Sequence, residues 1–440
     1  MEIWLLLPPF LIQADIRALA RVCVRLRMIF RPLVTFKVTI TLNDSRSHRK
    51  VLAITRIRTF LDSVVGLEIG ENSRYLFQVQ YLFSPTLFTL FRALPAMRQL
   101  HTIQLSLIFL AETHLRCILS SSYITHLVLY AIQLPKISRL SPPNPNLRKL
   151  TLTSMASWDA VRPLLVHLAA SLEYLQFHFC DFEFGPRSRL QLPPFPSLRE
   201  LRHQNFGNEA VLEEVFQVSQ VTHLHLFGTL DPSRAAFPKS LQHLSTEDWV
   251  LIQLKLRPTP VPLTQLISLS IQRYQEWEMS YHLAFSALVC DHFPRIISLH
   301  LRIQWALRNV ALVMARSQHN VQEMELSIVT RQGLDSEGWW GWKQVEILND
   351  YLQNNTLPGA LQGLRLEVVQ RRGNFERGLA LCSRWVYDDV IHPVKGLGGS
   401  DLKSIDVSFV LSESGLGRER RIWKRWAKLP DEDWQIEGAL

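Results

Sequence analysis

The sequence predicts an α/β solenoid, in which short parallel strands alternate with helices or turns. The first observation is a six-residue pattern, clearest at residues 147–152 (LRKLTL), with aliphatic side chains at positions one, four and six. The second is its recurrence, because from Leu100 to Val321 successive copies begin 20 to 30 residues apart. Because side chains alternate along a strand, positions four and six point to the same face and enter the core.

Each copy is predicted to be one strand of a repeat. Burying an aliphatic side chain contributes about 1.5–3 kcal/mol, whereas ordering one backbone residue costs about 1–2 kcal/mol. A single unit therefore cannot fold alone, and stacked neighbours complete its core. The copies begin at Val64, Leu100, Ile124, Leu147, Leu172, Leu198, Val221, Leu241, Leu266, Ile296, Val321, Leu361 and Leu402.

The spacing and the pattern resemble the leucine-rich repeat, whose units recur every ~20–29 residues. The resemblance implies an irregular leucine-rich-repeat horseshoe. In that family an Asn or Cys commonly occupies position nine, but here the position holds Ile108, Ile132 and Met155, and only Cys180 fits. We therefore expect apolar packing, rather than a ladder of asparagines, to hold the turns.

Composition agrees with a folded intracellular chain, which we place in the cytoplasm, the nucleus or both. The chain is 47% hydrophobic and 20% charged, and its five cysteines form no C-x-x-C pair. Neither a zinc site nor a disulfide framework is indicated. The formal net charge is +9, but the basic residues are spread along the chain, which does not favour nucleic-acid binding. No stretch offers the ~18 apolar residues that span a bilayer.

The first element in chain order is an amphipathic helix over residues 15–33. Asp15 is placed to cap it and Pro32 ends it. Arginines occupy the side of the helix away from its apolar stripe. The stripe consists of Ile16, Leu19, Val22, Cys23, Leu26 and Ile29.

This segment resembles the second half of an F-box. The matching residues are Asp15, Leu19, Ala20, Val22, Cys23, Leu26, Arg27, Pro32 and Leu33, followed by a strand-like stretch at 38–42. The resemblance implies a helical segment at residues 1–42 and a repeat array at residues 43–440. It also implies docking on the small adaptor subunit of a cullin-RING ubiquitin ligase. The implied adaptor-binding residues are Ile16, Leu19, Val22, Leu26, Ile29 and Pro32.

The segments between the repeat strands are assigned from periodicity and turn residues. Residues 43–50 are polar and predict a surface loop. Helices are predicted after Pro85, over residues 158–170 and over residues 209–217, where apolar residues recur at helical spacing.

Beyond Ile296 the repeats lengthen through insertions, which in solenoids often lie on the binding face. One insertion contains Trp339, Trp340 and Trp342. This cluster is either an exposed anchor for a substrate protein or a packed plug on the C-terminal cap. The basic tail at 418–428 predicts an amphipathic end-cap helix, with a nuclear-import or acidic-partner patch as the alternative.

Three histidines are the remaining candidates for a site. His223 and His225 lie two apart on one predicted strand, and His243 has the motif position of His223 in the next repeat. Because neighbouring strands are ~4.8 Å apart, the three rings are expected to approach one another on the concave surface. A polar stripe that binds the substrate is favoured over a metal site, which needs converging donors.

The sequence contains no nucleophile elbow and no phosphate-binding loop, so we expect no enzyme and no cofactor. By resemblance, the chain recruits an unknown protein substrate to a ubiquitin ligase for degradation. One alternative is a repeat scaffold in which a vestigial F-box serves only as an N-terminal cap. A second alternative is a basic nucleic-acid-associated protein.

Overall fold

The structure is a computed structural model of the 440-residue chain. The residues that it describes are 18–19, 21–22, 36–42, 45–56, 61–70, 85–135, 145–184, 190–204, 209–227, 237–247, 263, 265–274, 295–303, 321–330, 360–371, 403–413, 418–428 and 434–437. The chain divides into two compact units, Met1–Val221 and Thr222–Leu440.

The described residues of the first unit form seven strands, β1 to β7, which are all parallel and neighbour one another in sequence order. Among the described residues that follow β1, five α-helices, α1 to α5, lie between strands or follow the last one. The elements are β1 Phe36–Thr41, α1 Ser45–Arg56, β2 Val64–Gly70, α2 Pro85–Ala93, β3 Thr102–Ser106, α3 Glu112–Ser120, β4 His126–Tyr130, β5 Lys149–Thr153, α4 Trp158–Leu168, β6 Tyr174–His178, β7 Glu200–Gln204 and α5 Glu209–Gln217.

The second unit contains strands β8 to β16. Strands β8 to β14 are parallel and follow sequence order, whereas β15 and β16 are antiparallel to the strands before them. The strands are β8 His223–Phe227, β9 His243–Thr246, β10 Ser268–Tyr274, β11 Ser298–Ile303, β12 Glu323–Thr330, β13 Gly363–Arg371, β14 Ser404–Glu413, β15 Arg418–Lys428 and β16 Trp434–Glu437. Each unit is thus an open sheet compatible with an α/β solenoid.

The core lies where the six-residue pattern places it. The predicted starts of twelve copies, from Val64 to Leu361, are buried, and a strand follows or includes each one. The thirteenth start, Leu402, lies outside the described residues, although β14 begins two residues later. Positions four and six, such as Leu150 and Leu152, are fully buried. The hydrophobic pattern therefore predicted the position of every parallel strand after β1.

The helices of the first unit bury apolar side chains. In α4 the buried residues recur three and four apart, as Trp158, Val161, Leu165 and Leu168 show. The Trp158 ring lies 5.3 Å from that of Phe182. The predicted helices after Pro85, over 158–170 and over 209–217 are confirmed as α2, α4 and α5.

Backbone hydrogen bonds repeat with the same period. The carbonyl at position two of one repeat accepts two N–H groups from the next; those of Thr125 and His126 both lie 2.9 Å from the His101 oxygen. In the second unit, Gln362 and Gly363 donate to the Gln322 oxygen at 2.7 and 3.0 Å. The long insertion before Leu361 therefore leaves the strand register unchanged.

A left-handed residue ends four consecutive strands of the first unit. Leu107, Ala131, Ser154 and Phe179, each at position eight, have φ values between 47° and 55°. Their N–H groups donate to the carbonyl that ends the next strand, as Ala131 does to Thr153 at 2.8 Å. A backbone ladder thus joins these turns.

The position-nine side chains lie beneath this ladder. Ile108, Ile132, Met155 and Cys180 are all buried, which confirms the expectation of apolar packing there. The Cys180 thiol also donates to the Leu152 carbonyl at 3.3 Å. Burial raises the pKa of this thiol.

The loop predicted at residues 43–50 is wrong, because α1 begins at Ser45. Only the second half of this helix carries buried apolar residues, Val51 and Ile54. Helix α1 packs against β1 and α2, and this tertiary contact fixes a helix whose first turns show no apolar periodicity.

The end-cap helix predicted at 418–428 is also wrong, because this segment is strand β15. It pairs antiparallel with β14 from Ser404 opposite Ala427 to Glu413 opposite Arg418. An open sheet edge exposes unpaired N–H and C=O groups, and pairing with β15 satisfies them. Helix propensity is a weak preference that such pairing overrides.

The predicted N-terminal helix is described at four residues, and Ala18, Leu19, Arg21 and Val22 are helical. Among the described residues, no helix combines the length and the apolar character needed to cross a bilayer.

Candidate functional site

The candidate site is the outward face of the parallel sheets, defined here as motif positions three, five and seven. These positions point away from the buried positions four and six, because side chains alternate along a strand. In β4, for example, Leu127 and Leu129 are fully buried, whereas Tyr130 is 41% exposed. Equal positions of neighbouring strands stand side by side, so the outward face forms rows of side chains across the sheet.

The histidines predicted to meet do so in part. His223 and His243 are opposite each other on β8 and β9, and their rings stack with centroids 4.1 Å apart and planes 14° apart. The Thr222 hydroxyl lies 2.9 Å from His223 Nδ1. His225 lies opposite Ser245 instead of another histidine. Burial lowers the pKa of His243, and the neighbouring His223 lowers it further.

The stacked geometry does not favour a metal ion. Ring nitrogens bind a metal in the plane of the ring, and two stacked rings direct their nitrogens along parallel planes. Among the described residues, no group of three or more histidine, cysteine, aspartate or glutamate side chains is placed to hold a metal. The histidines therefore offer a partly exposed aromatic surface with hydrogen-bonding edges.

A row of position-five side chains crosses the second unit from β10 to β14. Ser270 Oγ lies 3.3 Å from His300 Nδ1, and His300 Nε2 lies 3.8 Å from a Glu325 oxygen. Arg365 continues the row, 3.5 Å from Glu325 and 3.7 Å from Asp406. Opposite charges alternate from Glu325 through Arg365 to Asp406, so these three residues stabilise their neighbours on adjacent strands. Such partly exposed pairs contribute about 0–1 kcal/mol each.

A second network lies on the outward face of β4 to β7, around Tyr174. The Tyr174 hydroxyl donates to Gln176 Oε1 at 2.6 Å. The Arg202 guanidinium lies 5.5 Å from the centre of the Tyr174 ring, and its Nε lies 2.8 Å from a Glu200 oxygen. Arg202 thus makes a cation–π contact and an ion pair at once.

His126 lies at the other end of this network. Its ring meets Tyr174 edge to face with centroids 6.4 Å apart, and its Nε2 lies 3.2 Å from Thr151 Oγ1. Burial lowers the pKa of His126, and the charge of Lys149 lowers it further. Burial raises the pKa of Tyr174, so the phenol stays protonated and remains a hydrogen-bond donor at neutral pH.

The network around Tyr174 was missed in the sequence, although a signal for it was present. His126, Lys149 and Tyr174 share position three of successive repeats, as His223 and His243 do. Their alignment on adjacent strands could have been predicted. The hydrogen bonds could not, because they depend on side-chain rotamers.

Two of the six predicted adaptor-binding residues are described. Leu19 is partly exposed, and Val22, three residues further along the same helix, is 69% exposed. The other four, Ile16, Leu26, Ile29 and Pro32, lie outside the described residues. So do Trp339, Trp340 and Trp342.

A comparison with models of known protein families found none that matches this chain, and a comparison with curated proteins found no match either.

Proposed function

We propose that this protein recruits a protein substrate to a cullin-RING ubiquitin ligase. The N-terminal helix docks on the adaptor subunit, and the outward face of the repeats holds the substrate. Binding both at once raises the effective concentration of substrate lysines near the charged conjugating enzyme. The chain itself then carries out no chemistry.

The observation that carries the docking part is the exposure of Val22. A valine that only capped the first repeat would be covered by it, because burial of apolar surface is what such a cap contributes. Val22 is instead 69% exposed on a helical segment, next to Leu19 on the same stripe. An exposed apolar side chain beside a second one is available to a partner.

The substrate-binding part is supported by the chemistry of the outward face. It presents tyrosine, arginine and histidine side chains held by hydrogen bonds and ring contacts. Tyrosine and arginine are the residues, with tryptophan, that most often dominate the binding energy at protein interfaces.

The first prediction is that purified chain captures the adaptor subunit and that Leu19→Asp/Val22→Asp weakens capture at least tenfold. Two carboxylates on the apolar stripe would have to be desolvated in the complex, and each desolvation opposes binding. The measurement is co-purification, with circular dichroism to show that the variant is folded.

Arg21→Asp is the control variant, because Arg21 is exposed on another side of the same helix. It places the same acidic side chain near the stripe without altering it, and capture should persist. If the wild type does not bind the adaptor, the protein is instead a repeat scaffold in which the helix acts as a cap. Equal capture by wild type and double variant would remove this helix as the docking element.

A further inference from the structure

The outward face around Tyr174, together with Phe179 at position eight, has the properties of a preformed binding surface. We call it the Tyr174 surface. Its members are aromatic or basic, and they come from four adjacent strands of the first unit, or follow one of them. They are His126, Tyr130, Lys149, Tyr174, Phe179 and Arg202.

Four side chains of this surface, those of His126, Tyr174, Phe179 and Arg202, are held by contacts with their neighbours. Tyr174 is held by Gln176 on one side and by the Arg202 guanidinium on the other. The Phe179 ring contacts that of His178 in a tilted arrangement, with centroids 4.4 Å apart, although Phe179 remains 52% exposed. Side chains that are fixed before binding lose little conformational entropy when a partner arrives, which favours affinity.

The charges of the surface leave one cation without an opposite charge. On strands β2 to β7 the formally charged residues are Glu68, Lys149, Glu200 and Arg202. Glu68 pairs with Lys37 at 3.3 Å, and Glu200 pairs with Arg202 at 2.8 Å. Within the part of the chain that the structure describes, Lys149 has no ion-pair partner. It stands opposite His126 and Tyr174, in the middle of the surface.

We propose that the Tyr174 surface binds a protein segment that carries one Asp or Glu carboxylate beside apolar side chains. The carboxylate pairs with the Lys149 ammonium, and the apolar side chains contact the rings of Tyr130, Tyr174 and Phe179. This inference rests on the proposed role of the outward face and adds the chemical class of the segment that it recognises.

A protein carboxylate fits this surface better than a polyanion does. A nucleic acid presents a row of phosphates and needs several uncompensated cations along its path. Here Arg202 is already paired with Glu200, so Lys149 offers a single positive charge to a partner. Exposed aromatic rings beside one cation match an acidic residue flanked by apolar ones.

The test starts from a library of random twelve-residue peptides selected for binding to the full chain. Enriched peptides are expected to share one acidic residue next to aliphatic or aromatic residues. For a synthetic peptide of this kind, Lys149→Glu should raise the Kd at least tenfold. Replacing the peptide's acidic residue by lysine should restore binding to Lys149→Glu and weaken binding to the wild type.

Lys239→Glu is the matched control, since Lys239 is an exposed lysine of the second unit and the charge change is the same. Tyr130→Ala provides an independent variant at an exposed ring and should weaken binding about fivefold without affecting folding. Enrichment of no peptide, of peptides without an acidic residue, or of peptides indifferent to Lys149→Glu overturns the proposal. Tight, Lys149-dependent binding of a single-stranded oligonucleotide also overturns it. None of these variants touches Leu19 or Val22, so adaptor capture fails or succeeds independently.

Discussion

His203 occupies a position in β7 that the other repeats of the first unit fill with isoleucine, leucine or phenylalanine. It lies at position six, opposite Phe177 of β6, and its side chain is 1% exposed. Burial lowers its pKa from 6.5 to about 4. The imidazole is therefore neutral in the folded protein at any pH near neutrality, and a charged ring would have to be accommodated inside the core.

This burial predicts acid-sensitive stability. Between pH 6.5 and about 4 the unfolded chain binds a proton at His203 that the folded chain does not, so the free energy of unfolding falls as the pH falls. The loss reaches roughly 3 kcal/mol at pH 4, because one pKa unit corresponds to about 1.4 kcal/mol. His203→Leu should remove this part of the pH dependence in urea unfolding at a series of pH values.

His101→Leu is the control for this prediction, because His101 is exposed before β3. It should leave the pH dependence of unfolding as in the wild type. An unchanged slope in His203→Leu would show that His203 does not set the acid sensitivity.

At the scale of elements, the ends of β3 to β6 depend on a backbone conformation that L-residues disfavour. Ala131 has a φ of 47° between β4 and the following turn, and its N–H completes the ladder to Thr153. The left-handed conformation costs a residue with a Cβ about 1–2 kcal/mol. The ladder offsets this cost by satisfying the carbonyls that end β4 to β7.

Replacing Ala131 by glycine should therefore stabilise the protein. The strain relieved exceeds the extra entropy of an unfolded glycine, about 0.5–1 kcal/mol, so we expect a gain of about 0.5–1 kcal/mol. Ala131→Val should be destabilising, since β-branched residues tolerate this conformation worst. Denaturant midpoints of the two variants measure both effects.

Ala93→Gly gives the matched comparison, because Ala93 ends α2 in the right-handed helical conformation, with a φ of −84°. At Ala93 the change to glycine should lower the free energy of unfolding by up to about 1 kcal/mol. If both glycine variants are destabilised equally, left-handed strain at Ala131 is not a significant term.

At the scale of the whole molecule, the net charge of +9 is distributed rather than concentrated. Basic residues of both units are engaged in ion pairs, among them Arg148 with Glu173 at 3.2 Å and Arg365 with Glu325 at 3.5 Å. Paired charges contribute little to the field that a polyanion meets. The described outward face of the second unit carries alternating charges in a row, an arrangement suited to selective protein contacts.

We therefore predict weak, unspecific binding to duplex DNA. A plot of the logarithm of the affinity against the logarithm of the salt concentration should have a slope of about −2 or shallower. This slope corresponds to about two phosphate contacts. Fluorescence anisotropy of a labelled 20-base-pair duplex at several salt concentrations measures the slope. A slope of about −6 or steeper would favour the nucleic-acid-associated alternative over protein recruitment.

The sequence by itself determined the buried half of this protein. Positions one, four and six predicted β2 to β14. Side chains that are buried on folding are apolar, and they recur at a fixed period within one segment of the chain. The same alignment brought His223 opposite His243, as observed. Helices α4 and α5 followed from their own apolar periodicity.

Only the tertiary structure decided the remaining features. Strand β15 formed because β14 had an edge to pair, and α1 formed because β1 and α2 offered a surface to cover. The Tyr174 network joins residues up to 48 positions apart, such as His126 and Tyr174, through specific rotamers. Whether a hydrogen bond or a ring contact forms on an outward face depends on differences of tenths of an ångström in the distances between strands. A hydrophobic pattern records which side of a strand is buried, and it carries no information about those distances.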